Sequence, residues 1–212
     1  MTRAALPPAV TAGVVAVLRA DDATAYAPVC AVLAAAGVRA LELTLTTPGT
    51  IDALPELAAA LPDACFGVGT VLDAEDARRA VEAGARFLVT PGAYLDVVAV
   101  AREAGIPVIA GALTPTEVSA VWAAGASAVK IFPASAVGDS YLTQLRGPFP
   151  DLPAMPSGGV GLDDIAGWIA AGAVGVSLGG PLLGDALRGG DPAELGARAR
   201  RAVEAVAGAR RG

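Results

Sequence analysis

The sequence of 212 residues has no histidine, one lysine and two cysteines. Histidine is the side chain that most often transfers protons near neutral pH and the commonest metal ligand. Its absence predicts that carboxylates carry protons and that the chain has no histidine-based metal site. Cys30 and Cys65 lack the spacing of metal ligands, and no secretory signal precedes them, so we expect reduced, buried thiols in a cytoplasmic protein.

Positive charge is also scarce, with 15 basic against 21 acidic residues and a net charge of −6. Nucleic acids and anionic membranes bind basic surfaces, so we expect neither as a partner. The uncharged window from Ile165 to Gly184 is long enough to cross a membrane. Its glycines, Pro181 and its change from helix-like to strand-like residues predict a helix, a turn and a strand instead.

Short apolar segments alternate with alanine-rich segments of helical character, and Gly84 and Gly125 stand where two of the predicted helices end. This alternation predicts a parallel sheet, and eight such units predict one (β/α)8 TIM barrel, a single domain over residues 1–212. Functional groups in such barrels lie at the C-terminal ends of the strands. The predicted strands lie near residues 14–19, 40–46, 65–71, 87–91, 107–113, 128–133, 154–160 and 173–179.

The one lysine, Lys130, lies inside an apolar predicted strand. Burial disfavours the ammonium form of a lysine, and the neutral amine forms Schiff bases with carbonyl compounds. The alternative is a lysine whose stem packs in the core while its ammonium group reaches water or a carboxylate.

The second predicted strand alternates strictly between leucines and polar residues, although strands of parallel barrels are usually apolar on both faces. If the leucines face the helices, Glu42, Thr44 and Thr46 point into the barrel, where an unpaired carboxylate is costly. The same alternation directs Lys130 and Arg19 inward from their own strands. A reactive cluster and a structural buried ion pair both remain open for these charged residues.

Glycine pairs stand at the ends of the seventh and eighth predicted strands, as Gly158-Gly159 and Gly179-Gly180. Backbone N–H groups exposed in such turns can bind a phosphate, and the loops after these two strands form the usual phosphate site of the fold. A plain turn explains each pair alone equally well. The two pairs occupy corresponding positions on the seventh and eighth strands, and this favours phosphate binding over two unrelated turns.

Six segments together resemble a known family over nearly the whole chain: Glu42-Leu-Thr-Leu-Thr46, Gly67-Val-Gly-Thr-Val71, Thr90-Pro-Gly92, Lys130-Ile-Phe-Pro-Ala134, Pro156-Ser-Gly-Gly159 and Leu178-Gly-Gly180. Their order is similar to that in 2-keto-3-deoxy-6-phosphogluconate (KDPG) and 4-hydroxy-2-oxoglutarate (KHG) aldolases, which are class I lyases. The resemblance implies cleavage of KDPG, or of a close 2-keto-3-deoxy sugar acid phosphate, to pyruvate and glyceraldehyde 3-phosphate. It also implies action on KHG to give pyruvate and glyoxylate, and a homotrimer.

The resemblance makes Lys130 the Schiff-base lysine and Glu42 the acid and base that moves protons. An iminium accepts the electrons of the broken C3–C4 bond, so neither a metal nor an organic cofactor is expected. Many relatives carry an arginine where this chain has Thr46. The chain resembles another subgroup, which ends the first strand with an arginine, so Arg19 is the candidate for binding the pyruvate carboxylate. The alternative is that Arg19 is a plain surface residue.

The resemblance also assigns residues around the two catalytic groups. Thr44 is expected to support Glu42, and ordinary core packing is an open alternative for Thr44, Thr70 and Phe132. Relatives carry a serine at the position of Gly180 or Pro181, so a weaker grip on phosphate is expected here. The other substrate-binding residues are Thr70, Pro91, Phe132 and Ser157, and the phosphate-binding residues are Gly158, Gly159, Gly179 and Gly180.

Two other functions compete with this interpretation. One is a phosphate-binding isomerase or epimerase on the same barrel, in which Glu42 enolises the substrate and Lys130 acts only as a charge. The other is a ligand-binding or assembly protein without catalytic activity.

Overall fold

The computed structural model describes residues 3–211, in which strands and helices alternate along the chain. The strands are Val14–Leu18 (β1), Ala40–Thr44 (β2), Cys65–Gly69 (β3), Leu88–Val89 (β4), Val108–Ala112 (β5), Ala128–Ile131 (β6), Ala154–Pro156 (β7) and Val176–Leu178 (β8). The helices are Pro8–Thr11 (α1), Tyr26–Ala35 (α2), Thr50–Ala60 (α3), Ala74–Glu82 (α4), Leu95–Glu103 (α5), Pro115–Ala124 (α6), Ser140–Leu145 (α7), Ile165–Ala170 (α8), Gly180–Leu183 (α9) and Pro192–Ala209 (α10).

The strands form one parallel sheet of eight, in the order β7-β6-β5-β4-β3-β2-β1-β8. Its two ends meet where a parallel bridge joins Ser157, just after β7, to Ser177 of β8. The sheet therefore curls into a nearly closed barrel with helices between consecutive strands. The predicted (β/α)8 fold is confirmed.

Local sequence explains where several elements end. Gly84 and Gly125 take φ values of 96° and 105° directly after α4 and α6, a backbone conformation that favours glycine. Strand β4 is shorter than predicted because Pro91, which follows it closely, has no N–H for the ladder. The uncharged window splits into α8, a turn and β8, as predicted, and then the short helix α9. No helix within residues 3–211 is both long and apolar enough to span a membrane.

Apolar side chains fill two separate regions. Leu41 and Leu43 belong to the larger region, between the barrel and its helices, as the alternation of β2 predicts. The smaller region lies inside the barrel near the N-terminal ends of the strands, and Val10 of α1 belongs to it. It leaves the C-terminal half of the interior to polar groups. Its buried members are Val10, Val15, Ala40, Phe87, Val89, Ile109, Ala128 and Met155.

Helix α6 begins with a capping box after β5. The Thr114 hydroxyl accepts a hydrogen bond from the Glu117 N–H at 3.3 Å, and the Glu117 carboxylate accepts one from the Thr114 N–H at 2.8 Å. Hydrogen bonds from the backbone of Leu113 and Thr114 lower the pKa of Glu117 below its usual value.

Thr114→Ala removes one half of this box, so we expect the free energy of unfolding to fall by about 1 kcal/mol. Urea titration followed by circular dichroism measures the change. Thr116→Ala, at an exposed position in the same first turn, is the matched control and should cost less. Equal losses in the two variants would show that the cap adds nothing.

Candidate active site

A cavity of about 190 Å³ lies among the C-terminal ends of the barrel strands. Its lining contains every residue that the sequence assigned to catalysis, substrate binding and phosphate binding: Arg19, Glu42, Thr70, Pro91, Lys130, Phe132, Ser157, Gly158, Gly159, Gly179 and Gly180. Sequence reasoning missed four further lining residues, which are Val17, Val160, Ser177 and Pro181.

Lys130 extends from β6 into this cavity and is 6% exposed. Its Nζ atom lies 3.7 Å from Oε1 of Glu42, and 5.2 Å from the centre of the Phe132 ring. The ammonium group of Lys130 therefore does not reach bulk water. It faces a carboxylate at the edge of a small cavity, where a carbonyl compound can approach it.

Glu42 projects inward from β2 and is 1% exposed. The Ser177 hydroxyl donates a 3.5 Å hydrogen bond to its Oε2 atom. Its Oε1 atom, which faces Lys130, accepts no hydrogen bond from the part of the chain that the structure describes. Buried polar atoms without partners are rare in proteins. This oxygen is thus placed to exchange a proton with Lys130 or with a bound ligand.

Gly69 makes room for the Glu42 side chain. A Cβ atom on Gly69 would lie 2.0 Å from Oε1 of Glu42, and one on Gly67 would lie 2.4 Å from the Phe87 ring. Gly69 therefore leaves space for a carboxylate in the C-terminal half of the barrel interior. Gly67 leaves space for an aromatic ring in the N-terminal half. Their role is space inside the barrel.

Arg19 follows β1 and reaches the mouth of the cavity. Its guanidinium donates hydrogen bonds to the hydroxyl of Thr46 and, at 3.2 Å, to the hydroxyl of Thr70. Thr70 has a φ of 58°, which is uncommon for a β-branched residue and typical of backbone strained at a functional site. The two threonines hold the arginine fork above the lysine and the glutamate.

The predicted support of Glu42 by Thr44 is wrong. The Thr44 hydroxyl donates to the carbonyl of Leu18 at 3.0 Å and fastens the end of β2 to the end of β1. Ser177 takes the expected role, from a strand on the other side of β1.

The glycine pair after β7 is required by close contacts. Gly158 and Gly159 have φ values of 83° and 75°. A Cβ atom on Gly158 would lie 2.8 Å from the Phe132 ring, and one on Gly159 would lie 2.6 Å from Ser135. Ser157 and the two glycines of this turn line the cavity.

The two thiols lie away from the cavity. Burial raises the pKa of Cys30 to about 12 and also raises that of Cys65, although Cys65 is half-buried, not fully buried as expected. Within residues 3–211, no three histidine, cysteine, aspartate or glutamate side chains are grouped as a metal site would need.

One small cavity thus brings together a buried amine, an adjacent carboxylate and an arginine guanidinium. This combination is typical of a barrel enzyme that binds a keto acid covalently. Comparison with known proteins gives the same class. The family model described as "KDPG and KHG aldolase" matches residues 9–197.

Individual relatives cover most of the chain. It is 36% identical to the KHG/KDPG aldolase of Escherichia coli K12 over 180 residues, which are 84% of each protein. It is 31% identical to a solved structure described as native KDPGal, with a TM-score of 0.87 and coverage of 94% of this chain and 96% of that one. A KDPG aldolase structure from Legionella pneumophila is 26% identical, with a TM-score of 0.82 and coverage of 92% and 97%.

The chain is therefore a lyase of the aldolase class. It belongs to the KDPG and KHG aldolase family.

Ser177→Ala removes the hydroxyl that donates to the Glu42 carboxylate, so we expect kcat for aldol cleavage to fall about three- to tenfold, since a hydrogen bond as long as 3.5 Å contributes about 1 kcal/mol. Steady-state kinetics over a range of pH measures it. Ser127→Ala is the control, because that buried serine donates to the Ala4 carbonyl near the opposite end of the barrel. Loss of activity in the control alone would contradict the role of Ser177.

Proposed function

We propose that this chain is a class I aldolase that cleaves KDPG, or a close 2-keto-3-deoxy sugar acid phosphate, to pyruvate and glyceraldehyde 3-phosphate. KHG is the second substrate, giving pyruvate and glyoxylate. The observation that carries the proposal is the buried Nζ of Lys130 at 3.7 Å from Oε1 of Glu42. The Legionella pneumophila relative supports it, because that protein captured pyruvate as a covalent carbinolamine.

In the first step, the neutral amine of Lys130 attacks the C2 carbonyl carbon of the substrate. A C–N bond forms, and the carbonyl oxygen takes a proton to give a carbinolamine. Glu42 is within reach of this nitrogen and moves the proton. Loss of water then gives an iminium, which carries the positive charge that the adjacent carboxylate stabilises.

In the second step, a carboxylate accepts the proton of the C4 hydroxyl. The C3–C4 bond breaks, its electrons pass to the iminium nitrogen, and the aldehyde leaves. Protonation of the resulting enamine at C3 and hydrolysis of the imine release pyruvate and restore the amine. Glu42 is the carboxylate in the cavity lining, so we assign both proton transfers to it.

The other lining residues bind the ends of the substrate. The Arg19 fork binds the pyruvate carboxylate by two parallel hydrogen bonds. Pro91 and Phe132 provide apolar walls beside the pyruvate methyl group. Thr70 and Ser157 offer hydroxyl groups, and the backbone N–H groups of the glycine pairs after β7 and β8 face the phosphate.

We also propose a cytoplasmic homotrimer. Two large apolar side chains are exposed beyond the C-terminal ends of β3 and β4: Leu72 in the loop after β3 and Leu95 in the first turn of α5, each 44% exposed. Burial of such side chains against another copy stabilises an assembly. Light scattering after size-exclusion chromatography should give three times the chain mass of 20.8 kDa, and a monomer would contradict this assembly.

Borohydride trapping tests the covalent step. The chain has one lysine, so incubation with pyruvate and borohydride should add one reduced pyruvyl group to Lys130, as read by intact mass and peptide mapping. Mapping separates this adduct from one on the α-amine. Lys130→Met should give no adduct at this site, and an unmodified Lys130 in folded protein would refute the Schiff-base mechanism.

Two substitutions separate proton transfer from binding. Glu42→Gln should lower kcat by about 10²-fold or more, because an amide cannot carry the proton, while pyruvate binding persists. Arg19→Ala should mainly raise KM, by about tenfold, because it removes a charged hydrogen-bonding fork. Unchanged kinetics in both variants would defeat the assignment.

A further inference from the structure

A second cavity, of about 320 Å³, adjoins the candidate active site on the side of β1 and β8. The two cavities share Val17, Arg19, Gly179 and Gly180 in their linings. A substrate held at Lys130 can therefore extend from the first cavity into the second. Sequence reasoning did not predict this second space.

The cationic groups of the joined cavities are Lys130, Arg19 and Arg188. Under the proposed function, Lys130 and Arg19 both act at the pyruvate end of the substrate. Arg188 lines only the second cavity. It is exposed, and across residues 3–211 its guanidinium forms neither an ion pair nor a hydrogen bond with the protein. Its positive charge is therefore available to a ligand in the second cavity.

The loop that carries Arg188 is held by backbone contacts. The Asp185 carbonyl accepts hydrogen bonds from the N–H groups of Arg188 at 2.8 Å and Gly190 at 3.1 Å. Just before it, the Arg198 guanidinium donates to two carbonyls at the end of α9, at 2.8 and 2.9 Å. These hydrogen bonds hold the backbone on both sides of Arg188, whose side chain lines the second cavity.

The other polar groups of this cavity define the ligand further. Asp21 and Asp185 line it as well, and their carboxylates can accept hydrogen bonds from hydroxyl groups but repel an anion placed against them. Gly180, which lines both cavities, supplies no hydroxyl donor. A hydroxylated chain that ends in an anionic group suits this combination, with the anion directed to Arg188.

We propose that Arg188 binds the terminal phosphate of the substrate from the side of the second cavity, next to Gly179 and Gly180, which border both cavities. Arg188 then sets the preference for phosphorylated over unphosphorylated substrates. This inference rests on the proposed aldolase function. A guanidinium presents paired N–H groups that match phosphate oxygens. It supplies the charge that the backbone N–H groups of the glycine pairs lack.

The test compares Arg188→Ala, Arg188→Lys and Arg78→Ala. Arg78 is an exposed arginine of α4 that lines neither cavity, so its substitution controls for the loss of one positive charge. The measurements are the ratio of kcat/KM for KDPG to that for KHG, and the inhibition constant of inorganic phosphate.

Arg188→Ala should lower the ratio about tenfold and weaken phosphate inhibition by a similar factor, because a hydrogen bond to a charged group is lost. Arg188→Lys should retain part of both, since it keeps the charge without the fork. Arg78→Ala should change neither. An unchanged ratio in Arg188→Ala, or an equal change in Arg78→Ala, would overturn the assignment.

Borohydride trapping with pyruvate tests the aldolase function separately from the role of Arg188. If Lys130 is trapped in the wild type and in Arg188→Ala while the ratio stays the same, the role of Arg188 is wrong and the aldolase function stands. If Lys130 is not trapped even in the wild type, the aldolase function fails and the inference about phosphate fails with it.

Discussion

The arrangement of side chains in the C-terminal half of the barrel interior depends on the ion pair between Lys130 and Glu42. Both side chains are almost fully buried, and the desolvation of two charges is costly unless each has a partner. Loss of one partner from such a pair typically costs about 3–5 kcal/mol, so packing and reactivity are coupled here. The same contact holds an amine away from bulk water and beside a carboxylate that can exchange its proton.

Several neighbouring residues provide the space and the hydrogen bonds that this ion pair needs. Gly69 lacks a Cβ where the Glu42 carboxylate lies, and Ser177 donates to the oxygen that faces away from the lysine. Arg19 is held at the mouth by Thr46 and by Thr70, whose backbone occupies the left-handed region. The left-handed backbone of Thr70 costs stability locally, and the apolar residues around the barrel and inside its N-terminal half offset that cost.

The sequence predicts those parts of the site that depend on one strand at a time. Strand alternation places Glu42 inside the barrel, and a single lysine within an apolar run identifies Lys130. Contacts across strands are different. Ser177 resembles an ordinary small core residue in its own strand, and its contact with Glu42 depends on the register of β8, β1 and β2 together. Thr44 was assigned wrongly because hydroxyl groups near strand ends can turn to backbone carbonyls.

The filled N-terminal half of the barrel interior determines the order in which substrates bind and products leave. Val10 and the side chains above it fill the interior below Lys130, so molecules reach the lysine through the C-terminal mouth. In the proposed reaction, pyruvate stays bonded to the deep lysine while the aldehyde lies between it and the mouth. The aldehyde must leave before pyruvate does, and in the reverse direction pyruvate must enter first. A one-ended barrel thereby converts a chemical sequence into an obligatory order of binding and release.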